Sequence, residues 1–295
     1  MKKSNVFRSF LENKEVIVMP GSYDPLSAKI VEWAGFEAVY MSGAGASAAV
    51  LAAADLGFMT MTEMVTQARN IVNAVNIPVI ADADTGYGDA LNVTRTVREY
   101  EKAGVAGIHI EDLESHQCGL HMDKTLLSTE KMVGRIKAAK DSLEDQDFVL
   151  IARTDAIGAQ GGGIDEAIRR ANLYVEAGAD AIWVQEPPVN LQSIEMFTTI
   201  TKSIKAPLMG AAGYNKHSIA QFEEWGYKIV FYPTLSIQTT MKTLMTLMKD
   251  IKDNGRDQAF CEKLPERGVS FDLFMEFTDF FKGQAIRDTY IPKPE

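Results

Sequence analysis

The chain has little cysteine, no long apolar run and no excess of positive charge. Cys118 and Cys261 are the two cysteines in 295 residues, too few for a disulfide framework and typical of a reducing compartment. Acidic residues outnumber basic ones by 40 to 30, which argues against a phosphate-binding face for nucleic acid. No apolar run reaches the ~20 residues that span a bilayer, and the first residues lack a secretory apolar segment. We therefore expect a cytoplasmic protein that binds neither nucleic acid nor membrane.

The chain also lacks a glycine-rich nucleotide loop of the G-x-G-x-x-G type. GSYDP follows the first apolar run and SGAGAS follows the second, and neither matches the pattern. An open, doubly wound sheet usually carries this loop after its first strand. The absence favours a closed barrel over an open sheet.

What the chain has instead is a repeat of short apolar runs and helical segments. Four helix-to-strand links, AGFEAVYMSG, AGVAGIHIED, AGADAIWVQE and WGYKIVFYP, place a glycine just past the helix, where a left-handed cap is needed. Eight strands separated by helices predict an α/β fold, a (β/α)8 TIM-type barrel. We expect one domain over 1–295, with the barrel core at about 15–240. The eight runs are 16–19, 38–41, 79–81, 107–110, 148–152, 181–184, 206–209 and 229–232.

The segment after the barrel, about 241–295, carries more helix than an eighth βα unit requires. Helices are predicted at 239–253, 257–264 and 271–281, and the stretch FDLFMEFTDFF has five phenylalanines. These side chains either pack within one subunit or cover a subunit interface. We favour the interface.

The stretch IPVIADADTGYG at 77–88 is the centre of the predicted site. An apolar strand ends in Asp82 and Asp84, two carboxylates that strand alternation would place on one face. Such a pair resists burial unless a cation accompanies it, and Mg²⁺ commonly takes one or two protein carboxylates. The alternative is a solvated turn rich in aspartate and glycine.

Polar residues recur at the carboxyl ends of the other predicted strands, where a barrel of this type builds its pocket. Acids at a metal together with an arginine predict a pocket for an anionic substrate. The strand-end residues are Tyr40 to Gly43, Asp82, Asp84, His109, Glu111, Asp112, Arg153, Asp155, Gln185 and Glu186.

The runs MPGSYDPLSAKIVEWAGFEAVYMSG, IPVIADADTGYG, AGVAGIHIED and IARTDA resemble the isocitrate lyase/phosphoenolpyruvate mutase superfamily, in its methylisocitrate lyase and 2,3-dimethylmalate lyase-like branch. The resemblance covers roughly residues 15–235. It implies a barrel with Mg²⁺ (or Mn²⁺) at its mouth and a homotetramer, a dimer of dimers, whose C-terminal helices swap between subunits.

The resemblance also implies roles for individual residues. Asp82 would bind the metal directly, while Asp55, Asp84 and Glu111 would act mostly through water, with His109 nearby. Asp55 could instead cap a helix. The substrate carboxylate would be held by Ser42, Gly43, Ala44 and Arg153, with Tyr40 beside the reacting oxygen and Glu186 as a further acid. Glu186 could instead be a solvated loop acid.

The loop at 111–124, EDLESHQCGLHMDK, bears on the reaction. Lyases of the family carry Lys-Arg-Cys-Gly-His here, and the cysteine acts as acid or base, whereas mutases and oxaloacetate decarboxylases generally lack it. This chain keeps Cys118 and Gly119, and His121 stands one place late. A neutral thiol would still protonate an enolate, although Cys118 could be a spare loop cysteine. The flanking positions hold His116, Gln117 and Leu120.

We therefore predict a Mg²⁺-dependent carbon–carbon lyase that cleaves a small anionic 2-hydroxy dicarboxylate to a 2-oxoacid and a carboxylate. Catalytic candidates are Cys118, Tyr40, Arg153 and Glu186, and Gly119 and His121 join the substrate-binding group. Ala211, Gly213 and Gln238 stand where methylisocitrate lyases hold further carboxylates, so a 2-alkylmalate fits better than a tricarboxylate. The alternatives are oxaloacetate decarboxylation or carbon–phosphorus chemistry at the same site, or a regulatory barrel without turnover.

Overall fold

The computed structural model describes residues 2–116, 124–213, 217–261 and 270–291. The chain divides into two compact units, Met1–Ile237 and Gln238–Glu295. Across the described ranges, no helix combines the length and the apolar character needed to cross a membrane.

The first unit is a closed barrel of eight parallel strands in chain order, as the repeat predicted. Each predicted apolar run overlaps one strand. In a barrel of this kind the carboxyl ends of all strands lie at one face, which is where the site forms. The strands are β1 (Ile17–Ser22), β2 (Val39–Met41), β3 (Val79–Asp82), β4 (Gly107–Glu111), β5 (Val149–Thr154), β6 (Ala181–Val184), β7 (Leu208–Ala211) and β8 (Ile229–Tyr232).

Helices connect the strands, and the four predicted glycine caps are confirmed. Gly35, Gly104, Gly178 and Gly226 all have positive φ angles, between 85° and 110°. The helices of the described chain are α1 (Lys3–Asn13), α2 (Pro25–Trp33), α3 (Gly43–Leu51), α4 (Met61–Ala74), α5 (Ala90–Ala103), α6 (Thr129–Ser142), α7 (Ile164–Glu176), α8 (Ile194–Ser203), α9 (Ile219–Glu224), α10 (Leu235–Asn254), α11 (Gln258–Cys261), α12 (Phe271–Phe277) and α13 (Phe280–Tyr290).

Two apolar layers stabilise the barrel. The outer layer lies between the strands and the helices. The inner layer fills the barrel with side chains such as Met19, Ile80 and Phe231, and it includes Phe7 and Leu11 of α1. The interior is therefore packed rather than open, which leaves the carboxyl face for a ligand.

Two local predictions were wrong. Strand β3 ends at Asp82, and Asp84 has a φ of 48°, so strand alternation does not position Asp84. The helix predicted at 271–281 is broken at Asp279, whose φ is 55°, and continues as α13. In the second unit Phe271 and Phe281 are more than half exposed.

Candidate active site and metal centre

The strand register brings the predicted site residues together at the carboxyl face. Asp82 pairs with His109 on the next strand, and Glu111 pairs with Arg153. Arg153 in turn pairs with Trp183 on β6. Acids and the cation of Arg153 therefore lie on adjacent strands, as the strand-end pattern predicted, whereas Trp183 was not among the predicted residues.

Asp82 is held by the backbone and by a tyrosine. Its Oδ2 accepts hydrogen bonds from the N–H of Gly43 (3.2 Å) and from the hydroxyl of Tyr40 (3.2 Å). Its Oδ1 accepts one from the N–H of Asp84 (3.0 Å). Three donors from three segments thus fix the orientation of this carboxylate.

The segment Ser42, Gly43 and Ala44 opens helix α3. The Ser42 hydroxyl oxygen accepts a hydrogen bond from the N–H of Gly45 (3.0 Å) and caps the helix. Backbone N–H groups in a first helical turn lack partners within the helix, so they suit an anionic group. Here the N–H of Gly43 meets Asp82, while half-buried Ala44 follows in the same turn.

Asp84 is buried in an uncommon backbone conformation. Its positive φ is a conformation that glycine and asparagine adopt more readily, and such strain is concentrated at functional sites. Among the described residues, its Oδ1 has no hydrogen-bond partner. Burial, and then the charge of Asp82, raise the pKa of Asp84 well above its usual value. A cation at this carboxyl would relieve both the missing partner and the repulsion.

His116 lies among three acids. Its Nδ1 is 2.6 Å from Oε1 of Glu111 and 3.6 Å from Oδ1 of Asp84, and its Nε2 is 2.8 Å from Oδ1 of Asp55. Burial alone would lower the pKa of His116, but Glu111, Asp55 and Asp84 raise it to about 12. His116 therefore carries a positive charge at neutral pH among these three acids.

The same cluster fits a divalent metal ion. Asp55, Asp84 and His116 each offer one ligand atom, and these atoms lie within 4.8 Å of one another. The unpartnered oxygen of Asp84 is the kind of buried acceptor that a cation would satisfy. Carboxylate oxygens and imidazole nitrogen are ordinary ligands of divalent ions.

Arg153 is held on every side. Its Nε and Nη2 donate to the two oxygens of Asp155 (2.8 and 3.0 Å). Its Nη1 lies 3.1 Å from Oε2 of Glu111, and its guanidinium lies over the Trp183 ring at 4.2 Å. This planar, bidentate arrangement requires arginine and leaves a fixed cation beside the acid cluster.

A second layer supports Arg153 and was not predicted. The buried Asp112 carboxylate accepts hydrogen bonds from the Thr154 hydroxyl (2.7 Å), the Tyr174 hydroxyl (2.7 Å) and the Asp155 N–H (3.0 Å). Buried Lys124 also pairs with Asp155. Asp112 stood among the strand-end acids in the sequence, but no local pattern indicated the role of Lys124.

Tyr40 and His109 form a chain that ends at Asp82. The Tyr40 oxygen is 2.8 Å from Nε2 of His109, and burial lowers the pKa of His109 to about 4. Because Tyr40 donates its proton to Asp82, we assign the imidazole proton to Nε2. Burial and Asp82 raise the pKa of Tyr40 well above 10, so its side chain is a phenol at neutral pH.

Glu186 is a buried acid at the end of β6. Its oxygens accept hydrogen bonds from the Ala211 N–H (2.8 Å) and the Trp183 indole N–H (3.2 Å). Burial outweighs these donors and raises the pKa of Glu186 to about 7. It is therefore not the solvated loop acid that the sequence left open, and it can exchange a proton near neutral pH.

Three predicted site residues, Cys118, Gly119 and His121, lie outside the described residues. Their roles stay predictions. The other ten predicted site residues lie in the first unit, nine of them at or just beyond the carboxyl ends of strands β2 to β6 and Asp55 beyond α3.

The sequence is similar to two lyases over nearly its whole length. It is 40% identical over 289 residues to the 2,3-dimethylmalate lyase of Eubacterium barkeri, covering 98% of this chain and 97% of the relative. It is 40% identical over 287 residues to a 2-methylisocitrate lyase of Aeropyrum pernix, covering 95% of this chain and 89% of the relative.

Solved structures show the same fold. Oxaloacetate acetylhydrolase in complex with 3,3-difluorooxalacetate superposes with a TM-score of 0.89 at 28% identity, covering 100% of this chain and 99% of that chain. Phosphonopyruvate hydrolase in complex with oxalate and Mg++ superposes with a TM-score of 0.88 at 30% identity, covering 99% of this chain and 100% of that chain.

The family profile for phosphoenolpyruvate phosphomutase matches residues 7–252. With the lyase relatives, it bears out the prediction of an enzyme of the carbon–carbon lyase type. The chain belongs to the phosphoenolpyruvate mutase/isocitrate lyase superfamily.

Proposed function

We propose that this enzyme cleaves the C2–C3 bond of a 2-hydroxy dicarboxylate of the 2-alkylmalate or 2,3-dialkylmalate class. The observation that carries the proposal is the fixed Arg153 cation beside the acid cluster of Asp55, Asp84 and Glu111. The similarity to a 2,3-dimethylmalate lyase across the whole chain supports this substrate class. In the reaction the 2-hydroxyl loses a proton, C2 becomes a ketone, and the C2–C3 electron pair passes to an enolate of the leaving carboxylate.

A divalent ion held by the acid cluster would polarise the 2-hydroxyl and stabilise negative charge on its oxygen. Arg153 binds the carboxylate of the 2-oxoacid half, because the bidentate pair with Asp155 fixes the orientation of its planar guanidinium. In the Ser42 to Ala44 turn, the N–H groups of Ser42 and Gly43 bond to Ser22 and Asp82, and the N–H of Ala44 donates to the same substrate carboxylate.

Two buried groups move or hold protons. Tyr40 acts as a hydrogen-bond donor rather than as a base, because its phenol stays protonated, and its hydroxyl would turn from Asp82 to the substrate oxygen. Glu186, with its pKa near 7, accepts the hydroxyl proton. Cys118 then donates a proton to C3 of the enolate, which completes the balance of the reaction.

The residues at the end of strand β7 favour a substrate with two carboxylates. Ala211 ends β7 and Gly213 follows it with a φ of 97°, and neither has a side chain that could pair with a carboxylate. A third carboxylate buried there would lack that pairing, which costs several kcal/mol, on the order of 2–7 for a polar group. We therefore propose a dicarboxylate rather than a tricarboxylate.

The second candidate is chemistry on a smaller 2-oxoacid, either oxaloacetate or a phosphonopyruvate. The high structural similarity to oxaloacetate acetylhydrolase and to phosphonopyruvate hydrolase favours it. Both reactions would use the same Arg153 and the same acid cluster to bind the 2-oxoacid.

We also propose that the enzyme is a homotetramer in which helices of the second unit are exchanged. The second unit exposes large apolar side chains to solvent, since Met245, Phe271 and Phe281 are each more than half exposed. A second copy of this chain would bury them. Light scattering at micromolar concentration tests this, and a monomer would contradict it.

The test is a substrate panel with MgCl2 or MnCl2, before and after chelation with EDTA. Release of 2-oxoacid is followed from 2,3-dimethylmalate, 2-ethylmalate and 2-methylisocitrate, together with consumption of oxaloacetate and phosphonopyruvate. The Cys118→Ser variant is compared with Cys261→Ser, which changes the other cysteine. We expect metal-dependent turnover of an alkylmalate that falls at least about 100-fold in Cys118→Ser alone.

Turnover limited to oxaloacetate or phosphonopyruvate, unaffected by Cys118→Ser, would replace this proposal by the second candidate. Binding of oxalate without turnover of any compound would indicate a regulatory barrel.

A further inference from the structure

His116 shares a loop with Glu111 and meets Asp55 and Asp84, which come from two other segments of the chain. Asp55 follows α3, Asp84 follows β3, Glu111 ends β4, and His116 lies five residues beyond it. His116 is buried, and its two nitrogens lie within hydrogen-bond distance of Glu111 and Asp55, at 2.6 and 2.8 Å. A histidine placed this way offers the cluster a nitrogen ligand as well as oxygen ligands.

An acceptor without a hydrogen-bond partner lies close to His116, since Oδ1 of Asp84 is 3.6 Å from its Nδ1. Oδ1 of Asp84 accepts no hydrogen bond among the described residues, and Asp84 is 4% exposed. Asp82, the ligand expected from the sequence, already accepts three hydrogen bonds, but its Oδ1 accepts only one of them and keeps a lone pair for an ion. One ligand atom from each of Asp55, Asp84 and His116 lies within a 4.8 Å span, which a single ion can bridge.

Glu111 orients the imidazole for this role. Its Oε1 is 2.6 Å from Nδ1, a distance that favours an Nδ1–H donor, so an ion would bind at Nε2 by displacing the proton that this nitrogen shares with Asp55. Nε2 is the nitrogen that lies 2.8 Å from Asp55. A carboxylate that holds the far nitrogen of a metal-binding histidine is a common arrangement, because it fixes the ring and its tautomer.

We propose that His116 is a ligand of the divalent ion together with Asp84 and Asp55, and that the site prefers Mn²⁺ to Mg²⁺ for this reason. Mg²⁺ favours oxygen ligands and keeps its water, whereas imidazole binds first-row transition ions more strongly. The inference rests on the proposed metal-dependent function, but it concerns which residue binds the ion and which ion is preferred.

The experiment measures metal binding without substrate. Calorimetry gives the Kd of Mn²⁺ and of Mg²⁺ for the wild type, His116→Gln and His116→Asn, and for the control His217→Gln, whose residue packs on Phe197 and Trp225. Pulsed EPR of bound Mn²⁺ detects a coordinated ¹⁴N directly. Circular dichroism confirms that each variant is folded.

We expect a ¹⁴N signal in the wild type and in His217→Gln that is lost in both His116 variants. We also expect Mn²⁺ affinity to fall by about 10- to 100-fold in those variants, with a smaller change for Mg²⁺. A wild type without ¹⁴N coupling, or a signal that persists in His116→Gln and disappears in His109→Gln, would overturn the inference. Tighter Mn²⁺ binding in His116→Gln would also overturn it, because the imidazole would then compete with the ion. If the wild type binds neither ion, the proposed metal-dependent function fails as well.

Discussion

The backbone N–H of Gly43 donates a hydrogen bond to Oδ2 of Asp82 over 3.2 Å. The approach is so close that a Cβ on residue 43 would lie 2.6 Å from this oxygen and 2.9 Å from the Asp82 Cγ. The start of α3 and the end of β3 are thus in direct contact at the site. Glycine is required at this position by space, and not by its backbone conformation.

Gly43→Ala should therefore displace the Asp82 carboxylate. We expect kcat/KM on the best substrate of the panel to fall at least about 100-fold, because a displacement of about 1 Å at a reacting centre has that effect. The fold should persist, as measured by circular dichroism and thermal melting.

Gly134→Ala is the matched control, since nothing lies within 4 Å of a Cβ at this position in α6. It should leave turnover unchanged and raise the free energy of unfolding by about 0.5–1 kcal/mol. Equal activity in the two alanine variants would show that Gly43 does not constrain Asp82.

Arg153→Lys should abolish most activity although it keeps the positive charge. A lysine lacks the planar fork that meets both oxygens of Asp155, and it stacks less well on Trp183. We expect kcat/KM to fall on the order of 100-fold or more. Arg169→Lys is the control, because Arg169 makes a similar bidentate pair with Glu166 at the surface. Comparable losses in both variants would argue against a specific role for Arg153.

Glu186 should make stability depend on pH between about 5 and 8. Its pKa rises from 4.5 in the unfolded chain to about 7 in the fold, mainly through burial. The protonated form is thus favoured by folding, and this contribution is complete below pH 4.5 and is lost as the pH rises through 7.

Glu186→Gln removes the ionisation, so its free energy of unfolding should decline less than that of the wild type over this range. The difference is on the order of 3 kcal/mol at most. Urea melts at pH 5, 6, 7 and 8 measure it, and parallel pH profiles for the two proteins would be the contrary result.

Asp112→Asn should destabilise the barrel and disturb Arg153 together. The carboxylate accepts from Thr154, Tyr174, Arg170 and the Asp155 N–H, and an amide would place donors against some of these groups. We expect a loss of about 2–4 kcal/mol in the free energy of unfolding. Tyr174→Phe removes one hydrogen-bond donor and should lower the free energy of unfolding by about 1 kcal/mol, with activity retained. A fully active, stable Asp112→Asn protein would contradict this assignment.

The barrel and most of the site were predictable because they depend on periodic patterns. Apolar runs with a glycine after each helix specify βα units, and the carboxyl ends of parallel strands meet at one face. That geometry was enough to place Asp82, Glu111 and Arg153 together before any coordinates were known.

Three features depended on contacts between distant segments, and local sequence carries no signal for them. Asp84 leaves the strand in a left-handed conformation, so its position comes from the loop rather than from alternation. Lys124, at the end of the loop 111–124, pairs with Asp155 just beyond strand β5. The charge of His116 depends on Glu111 and also on Asp55, which is 61 residues away in the chain.

The sequence alone thus determined the fold, the family and the face on which the site forms, because these follow from short-range patterns repeated along the chain. The tertiary structure decided the state of each group within that face. Burial keeps Tyr40 protonated and raises the pKa of Glu186 to about 7. Packing places the His116 imidazole within hydrogen-bond distance of Glu111. Desolvation and charge pairing act between residues that only folding brings together, and so no local pattern records them.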